Sequence, residues 1–369
     1  GFMRSQSDVV IVGGGIIGSS IAYRLASEGM GVTVLERDSV GSHASGFALG
    51  LLNPTNATGE LERLVHQSHG IHLELHGRLQ EESGVDLQLQ TMPHIELALA
   101  ESEVPELKSE CERISRLPGF KTAWLEPEDA WKLEPRITRD LFGAVLVEDV
   151  IMLDSYNLTL ATAQAAEALG VEIVLAEATE IHYEKDRVVG VRVGQNRIDC
   201  DALVLALGPW SGAAGVWLDV DIPIVPQKGE IARVEGLDPV LGLHVHGPCS
   251  VVQKADGLTW LAATRKDNTG FDVTPSNEAL ETLSERGMRM LPELDSHRLV
   301  LQTACMRPVT PDGFPIIGRV PGQEGMFIAT GTGGQGIVLA PAIGKAISDL
   351  VTAGETEIDI GRFGLERFA

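Results

Sequence analysis

The chain has 369 residues, 44% of them hydrophobic and 22% charged, the balance of a folded protein with one large core or two interleaved ones. Its formal net charge of −23, from 52 acidic against 29 basic side chains, excludes nucleic acid and anionic membranes as partners of the general surface. Any anionic substrate therefore needs a local cation, and the four cysteines (Cys111, Cys200, Cys249, Cys305) show neither a C-x-x-C pair nor zinc spacing.

The opening Gly1-Phe2-Met3-Arg4 lacks the long apolar stretch of a signal peptide, and no run elsewhere is long enough to span a membrane. The cytoplasm is the expected address. Asp8 to Val12 is an apolar run that meets Gly13-Gly14-Gly15. A helical pattern from Ile16 to Ser27 follows, then Val32 to Glu36, which together read as strand, turn, helix, strand. Gly13-x-Gly15-x-x-Gly18 thus sits in the context of a dinucleotide-binding turn. The first glycine permits the tight turn, the second lets backbone approach a pyrophosphate, and the third lets helix and strand pack closely. The helix N-terminus supplies free N–H groups and a favourable dipole for the phosphates. Glu36, ending the second strand, is placed to accept from ribose hydroxyls and disfavours a 2′-phosphate. NAD and FAD both remain open at this point.

Gly41 to Gly50 reads as an extended loop and Leu61 to Ser83 as a long helix stopped by Gly84. Short strands (Ile95 to Ala100) and a helix (Glu103 to Arg116) follow, then a helix from Asn157 to Leu169. Val171 to Leu175, Arg187 to Val193 and Ala202 to Ala206 read as strands. Ile222 to Val234, His244 to Val252 and Leu258 to Thr264 read as antiparallel strands of a second layer, before a helix from Glu278 to Met290. The tail gives a strand (Gly325 to Ala329), a glycine turn (Gly331 to Gly336) and a helix (Ile337 to Thr352). Because βαβ chemistry sits at both ends, one domain is assembled from separate segments. His66, His69, His72 and His76 fall near one face of the long helix, and a polar face is preferred there over a metal site.

Three further stretches narrow the ligand: Ala206-Leu207-Gly208-Pro209-Trp210-Ser211, the run Cys305 to Gly318 containing Arg307, and Gly331-Thr332-Gly333-Gly334-Gln335-Gly336-Ile337. With the first glycine motif they resemble the D-amino-acid oxidase family of flavoproteins over almost the whole chain, most of all its glycine oxidase and sarcosine oxidase branches. The resemblance implies an α/β fold in which an FAD-binding Rossmann-like domain (residues 1–84, 150–221 and 301–369) is interleaved with an α+β, antiparallel-sheet substrate domain (85–149 and 222–300). It implies FAD contacts at Gly13, Gly15, Ile16, Ile17, Gly18, Glu36 and Arg37, and in the loop at Ala44, Ser45, Leu49, Gly50 and Leu51. Further contacts fall on the Glu180 backbone, on Gly208, and on the turn Thr332, Gly333, Gly334, Gln335, Gly336 and Ile337.

The resemblance also puts the substrate-carboxylate cation on Arg307, whose planar fork suits a carboxylate better than lysine would. Where glycine oxidase has a tyrosine beside that carboxylate, this chain has Ser250. A larger pocket is expected, with a substrate bulkier than glycine: an N-alkylated glycine or a D-amino acid with an apolar side chain. The oxygen-activating lysine of sarcosine oxidase has no match in Gly257 to Leu261, so O₂ and another electron acceptor both stay open. Cys305 falls where sarcosine oxidase links its flavin covalently, but an inert buried cysteine is the preferred reading. The expected chemistry is hydride transfer from the substrate Cα to flavin N5. Its competitors are a D-amino acid dehydrogenase, a non-catalytic flavin-binding partner or redox sensor, and an NAD-linked enzyme. A homo-oligomer is compatible with the sequence.

Overall fold

The computed structural model describes residues 3–369, so only the first two residues of the 1–84 segment lie outside it. Two sheets organise the chain. In the first, Gln6–Val12 is central, with Val32–Glu36 and Asn196–Leu205 parallel on either side. Glu172–Leu175 and Met326–Thr330 extend the parallel set outward. Such strands are covered on both faces, so their sequences are continuous rather than alternating. Val9, Val10 and Ile11 are all fully buried, as is Thr33, whose hydroxyl meets that of Ser7 at 2.6 Å.

Helices Ile16–Ser27 and Gly336–Thr352 share one face of this sheet. They cross closely: a Cβ on Gly344 would lie 2.8 Å from the Ser20 carbonyl oxygen. The first and last parts of the chain therefore build one layer, as the glycine motifs at both ends imply. An Ala178–Glu184/Arg187–Val193 hairpin and an antiparallel edge strand, Ile316–Arg319, complete the sheet.

The second sheet runs Leu299–Val309, Val225–Val234, Thr259–Ala262, Ser250–Gln253 and His244–His246 in antiparallel order. One parallel pairing, His244–His246 with Gln90–Ala98, joins that set to Gly143–Met152 and then Leu51–Leu52. The expected strand His244 to Val252 is in fact a hairpin. Pro248 has no N–H to give a ladder, and the chain turns there with Gly247 N–H donating to the Cys249 carbonyl at 3.1 Å. Helix Asn277–Met290 packs its Leu283 and Met290 on this sheet beside Val251 and Leu261.

The long helix spans Glu62–Ser83 and ends on Gly84 at φ +73°. Its histidine row is not a solvated face. His72 and His76 are buried, and His72 Nε2 meets the Ile337 carbonyl at 2.9 Å. Burial pushes His72 down to about 3, so it is neutral and acts as a brace under the start of the Gly336–Thr352 helix. Among the described residues no group of His, Cys, Asp and Glu is arranged to hold a metal, and no helix is long and apolar enough to cross a membrane.

Candidate active site

One cavity of about 940 Å³ lies between the two sheets, near the upper end of the roughly 300–1,000 Å³ common for ligand sites. At one end is the turn after the first strand. A Cβ on Gly13 would sit 2.0 Å from the Ala206 carbonyl oxygen, and one on Gly18 would sit 1.9 Å from that of Gly13. Both positions therefore require glycine, Gly18 for close packing rather than for lining the cavity. Helix Ile16–Ser27 opens onto the cavity with Gly15 as its N-cap, no side-chain cap and no acidic residue in its first turn. One of its leading N–H groups, that of Ile16, donates to Ser45 Oγ at 3.0 Å. A helix N-terminus left this way attracts an anion.

Glu36 lies beside this turn, accepting from the Gly14 N–H at 2.7 Å and from the Asp38 N–H at 2.8 Å. These two bonds fix its carboxylate in the cavity lining. Arg37 lies over the Trp210 ring, 4.9 Å from its centre, and pairs with Asp38. Ile16, Ile17, Ala44, Ser45, Leu49, Gly50, Leu51 and Gly208 all line the same space. Glu180 does not. It points outward from its strand and pairs with Arg192 at 2.7 Å, and the wall there is made by Ala176, Glu177 and Ala178. A bulge in the strand explains the difference: the register shifts between Ala178 and Glu180, so Ala178 is buried whereas Thr179 and Glu180 are exposed.

A second uncapped helix N-terminus enters the cavity from the other side. The turn Thr332 to Ile337 lines it, and helix Gly336–Thr352 begins without a side-chain cap or an acidic first turn. This turn is tied to the strand Leu299–Val309, since Gly333 N–H donates to the Pro308 carbonyl at 2.8 Å. The preceding residue of that strand is Arg307. Its guanidinium lies against Gly229, where an added Cβ would come within 2.6 Å of Cζ, and Nη1 donates to the Thr264 carbonyl at 3.0 Å. Arg307 is partly buried, and desolvation, with Arg265 nearby, lowers its pKa below the usual arginine value. Among the described residues it has no carboxylate partner.

Ser250 is buried in the cavity wall and 3.0 Å from Nδ1 of His246, which also lines the cavity. Burial lowers the His246 pKa, leaving a neutral imidazole at pH 7. Cys305 also reaches the cavity. Its thiol is pushed up by burial, an effect the adjacent Arg307 opposes, so it is a weak nucleophile.

Behind the Leu49–Leu51 wall is Lys254, which the sequence did not single out. Its Nζ donates to the carbonyls of Leu49 at 2.5 Å and Leu153 at 2.8 Å and lies 4.2 Å from the Trp260 ring centre. Burial pushes it down to about 8. Lys254 sits just before Ala255-Asp256-Gly257, so it reads as a turn lysine, and no sequence signal marks it as buried. Arg265, Arg286 and His246 were likewise missed because their segments carry no motif.

Two anion-attracting helix ends, a carboxylate beside the first, glycine turns in which a Cβ would collide with backbone, and an elongated cavity joining them fit an extended dinucleotide such as FAD. Comparison with known proteins agrees. A family model described as FAD dependent oxidoreductase matches residues 8–350. The chain is 30% identical over 373 residues to glycine oxidase of Bacillus licheniformis, covering 99% of this chain and 98% of that one. It is also 30% identical to glycine oxidase of Bacillus subtilis (strain 168), covering 97% and 96%. The crystal structure of glycine oxidase from Geobacillus kaustophilus superposes with a TM-score of 0.91 at 29% identity, covering 98% and 99%.

Proposed function

This chain belongs to the DAO family of FAD-dependent oxidoreductases, and from that premise we propose that it oxidises a small amino acid or N-substituted glycine at its Cα–N bond. FAD is its cofactor. The observation that carries the substrate reading is Arg307: a partly buried cation without a carboxylate partner among the described residues, one residue from the strand position that holds the second glycine turn. An unpaired guanidinium in such a place is matched by an anionic substrate, and a carboxylate fits its fork bidentately.

Arg307 would fix the carboxylate and so direct the substrate Cα–H, a proximity effect. FAD, when bound, would supply the two-electron acceptor that departure of the Cα hydrogen as hydride requires. The amine lone pair forms the C=N bond as that hydrogen leaves with its electron pair, and the amine proton goes to water. Water then hydrolyses the imine to an oxo acid and an amine or ammonia. With O₂ as final acceptor the second product is hydrogen peroxide. The N-terminus of helix Gly336–Thr352 favours negative charge at its mouth, and Gly13, Gly15, Ile16 and Ser45 would hold the pyrophosphate. Ala176 to Ala178, rather than Glu180, would supply the backbone contact on that flank. The division into cofactor segments 1–84, 150–221 and 301–369 and substrate segments 85–149 and 222–300 belongs to the same reading, with strand Leu299–Val309 shared between the two.

Ser250 leaves room for a substrate larger than glycine. An anaerobic titration tests the whole reading: glycine, sarcosine, longer N-alkyl glycines, proline and D-amino acids are added to the yellow protein. Bleaching by at least one larger compound, faster than by glycine, is expected. If none bleaches a flavin that dithionite still reduces, the protein is not an amino acid oxidase. Peroxide formed in air in equal amount to substrate consumed would identify O₂ as acceptor.

A further inference from the structure

We infer that the substrate carries a second carboxylate, held by Arg265 and Arg286 at the end of the cavity where Arg307 takes the first. This rests on the amino acid oxidase reading and sharpens it: the side group is acidic rather than apolar.

Four arginines line the cavity: Arg37, Arg265, Arg286 and Arg307. Arg37 belongs to the cofactor end, where it pairs with Asp38 and covers Trp210. The acidic lining residues, Glu36, Asp38 and Glu177, are all on that side, following the ends of strands in the first sheet. The other three arginines come from strand Leu299–Val309 of the second sheet, the loop after its strand Thr259–Ala262, and helix Asn277–Met290. Among the described residues none of them makes an ion pair.

Their placement is convergent. Arg307 Nη1 donates to the carbonyl of Thr264, the residue before Arg265, and Arg265 is close enough to weigh on the Arg307 charge. Arg286 is one helical turn before Met290, on the same face. Met290 Sδ lies 3.0 Å from where a Gly247 Cβ would be, so this face sits over the turn that leads to Ser250. Arg286 is also close enough to Cys249 to act on its thiol.

Three like charges around one space repel each other, and one α-carboxylate answers only one of them. A shortage of acids does not explain the lack of partners, because the chain has 52 acidic side chains against 29 basic ones. Many arginines elsewhere are paired closely, as in Arg136–Glu134 at 2.7 Å and Arg367–Asp312 at 2.8 Å. Arg139 and Arg233, unpaired among the described residues, lie over tryptophan rings, so it is the grouping of three around one cavity that stands out. The cofactor's phosphates do not answer the charge either, since the first glycine turn and Ser45 are at the other end. The remaining alternative is that exposed Arg265 merely steers any anion through the field of a chain of charge −23.

Paired isosteres on the FAD-loaded protein separate these. D-aspartate is set against D-asparagine, D-glutamate against D-glutamine, and iminodiacetate against its monoamide. The expected result is a kcat/KM at least tenfold higher for the acid in one pair, with Arg265→Gln or Arg286→Gln lowering the acid at least tenfold more than the amide. Equal use of acid and amide, or an equal loss for both in the variants, overturns the inference and leaves steering. Flavin content of each variant checks that it folds. Binding is read without turnover by titrating the flavin absorption with glutarate and with butyrate. Tighter glutarate binding that weakens in Arg265→Gln supports the second-carboxylate site even where no amine bleaches the flavin, a result that sinks the oxidase reading alone. Equal binding of the two overturns the site.

Discussion

At one end of the cavity the protein presents backbone, and at the other it presents side chains. The cofactor end is made of the first glycine turn and a bare helix end, and a second such turn and helix end reach in beside Arg307; there the chemistry lies in N–H groups that every residue type but proline shares. The substrate end is made of Arg307, Ser250, His246, Arg265 and Arg286, brought in from three strands, a loop and a helix. Backbone recognition constrains a few positions to glycine and tolerates change elsewhere. Side-chain recognition does the opposite, since the scaffold can stay fixed while each contact is exchanged.

That contrast predicts all-or-none behaviour at the cofactor end. Gly18→Ala places a methyl group 1.9 Å from the Gly13 carbonyl oxygen, so the turn must open, and the ratio of flavin to protein absorbance is expected to fall more than tenfold. A variant with full flavin content would show that close helix–strand packing is dispensable here. At the substrate end the loss should be graded. Arg307→Lys keeps the charge but loses the fork, and the second-order rate of anaerobic flavin reduction should drop roughly 10–100-fold with flavin content retained, as befits a charged hydrogen bond of about 1.5–3 kcal/mol. Loss of flavin along with rate would erase the distinction between the two ends.

Lys254 lies between them, bracing the Leu49–Leu51 wall from behind. Its folded pKa, pushed down from 10.5 to about 8, means that the folded state binds fewer protons than the unfolded state between those values. Stability from this site therefore rises with pH from about 8 to about 10.5, by on the order of 3 kcal/mol. Urea unfolding at both ends of that window should show the rise in the native protein and a smaller one in Lys254→Met. An identical pH slope in both would remove Lys254 from the account. The smallest effect concerns Cys305, whose raised thiol is a poor nucleophile. Acid precipitation should release the yellow colour to the supernatant, and colour kept in the pellet would mean that the thiol has joined the flavin.

Legibility follows the same division. The glycine turns could be read because their spacing reports steric demands local in sequence, and the buried parallel strands because they are continuous apolar runs. Arg307 was readable only through resemblance, since a lone arginine before a proline has no local signature. Lys254 and Arg286 could not be read. Their roles depend on which strand ends up behind which loop, and Lys254 lies 101 residues from Leu153, whose carbonyl it caps. The histidine row shows the same limit from the other side: its spacing was visible, but the helix that buries His72 starts at Gly336. Glu180 lies two residues beyond the wall position Ala178, and the bulge between them, which no local sequence signal marks, turns it outward.

The hydrogen bond from Gly333 to Pro308 joins the second glycine turn to the strand that bears Arg307. Clamp and turn therefore move as a single stiff part, like the two marks on a ruler. The spacing between anchored carboxylate and flavin would be inherited unchanged while the hairpin at Gly247–Ser250, the Arg265 loop and the Arg286 helix drift independently. A lineage could then explore new side groups without relearning where to hold the reacting carbon.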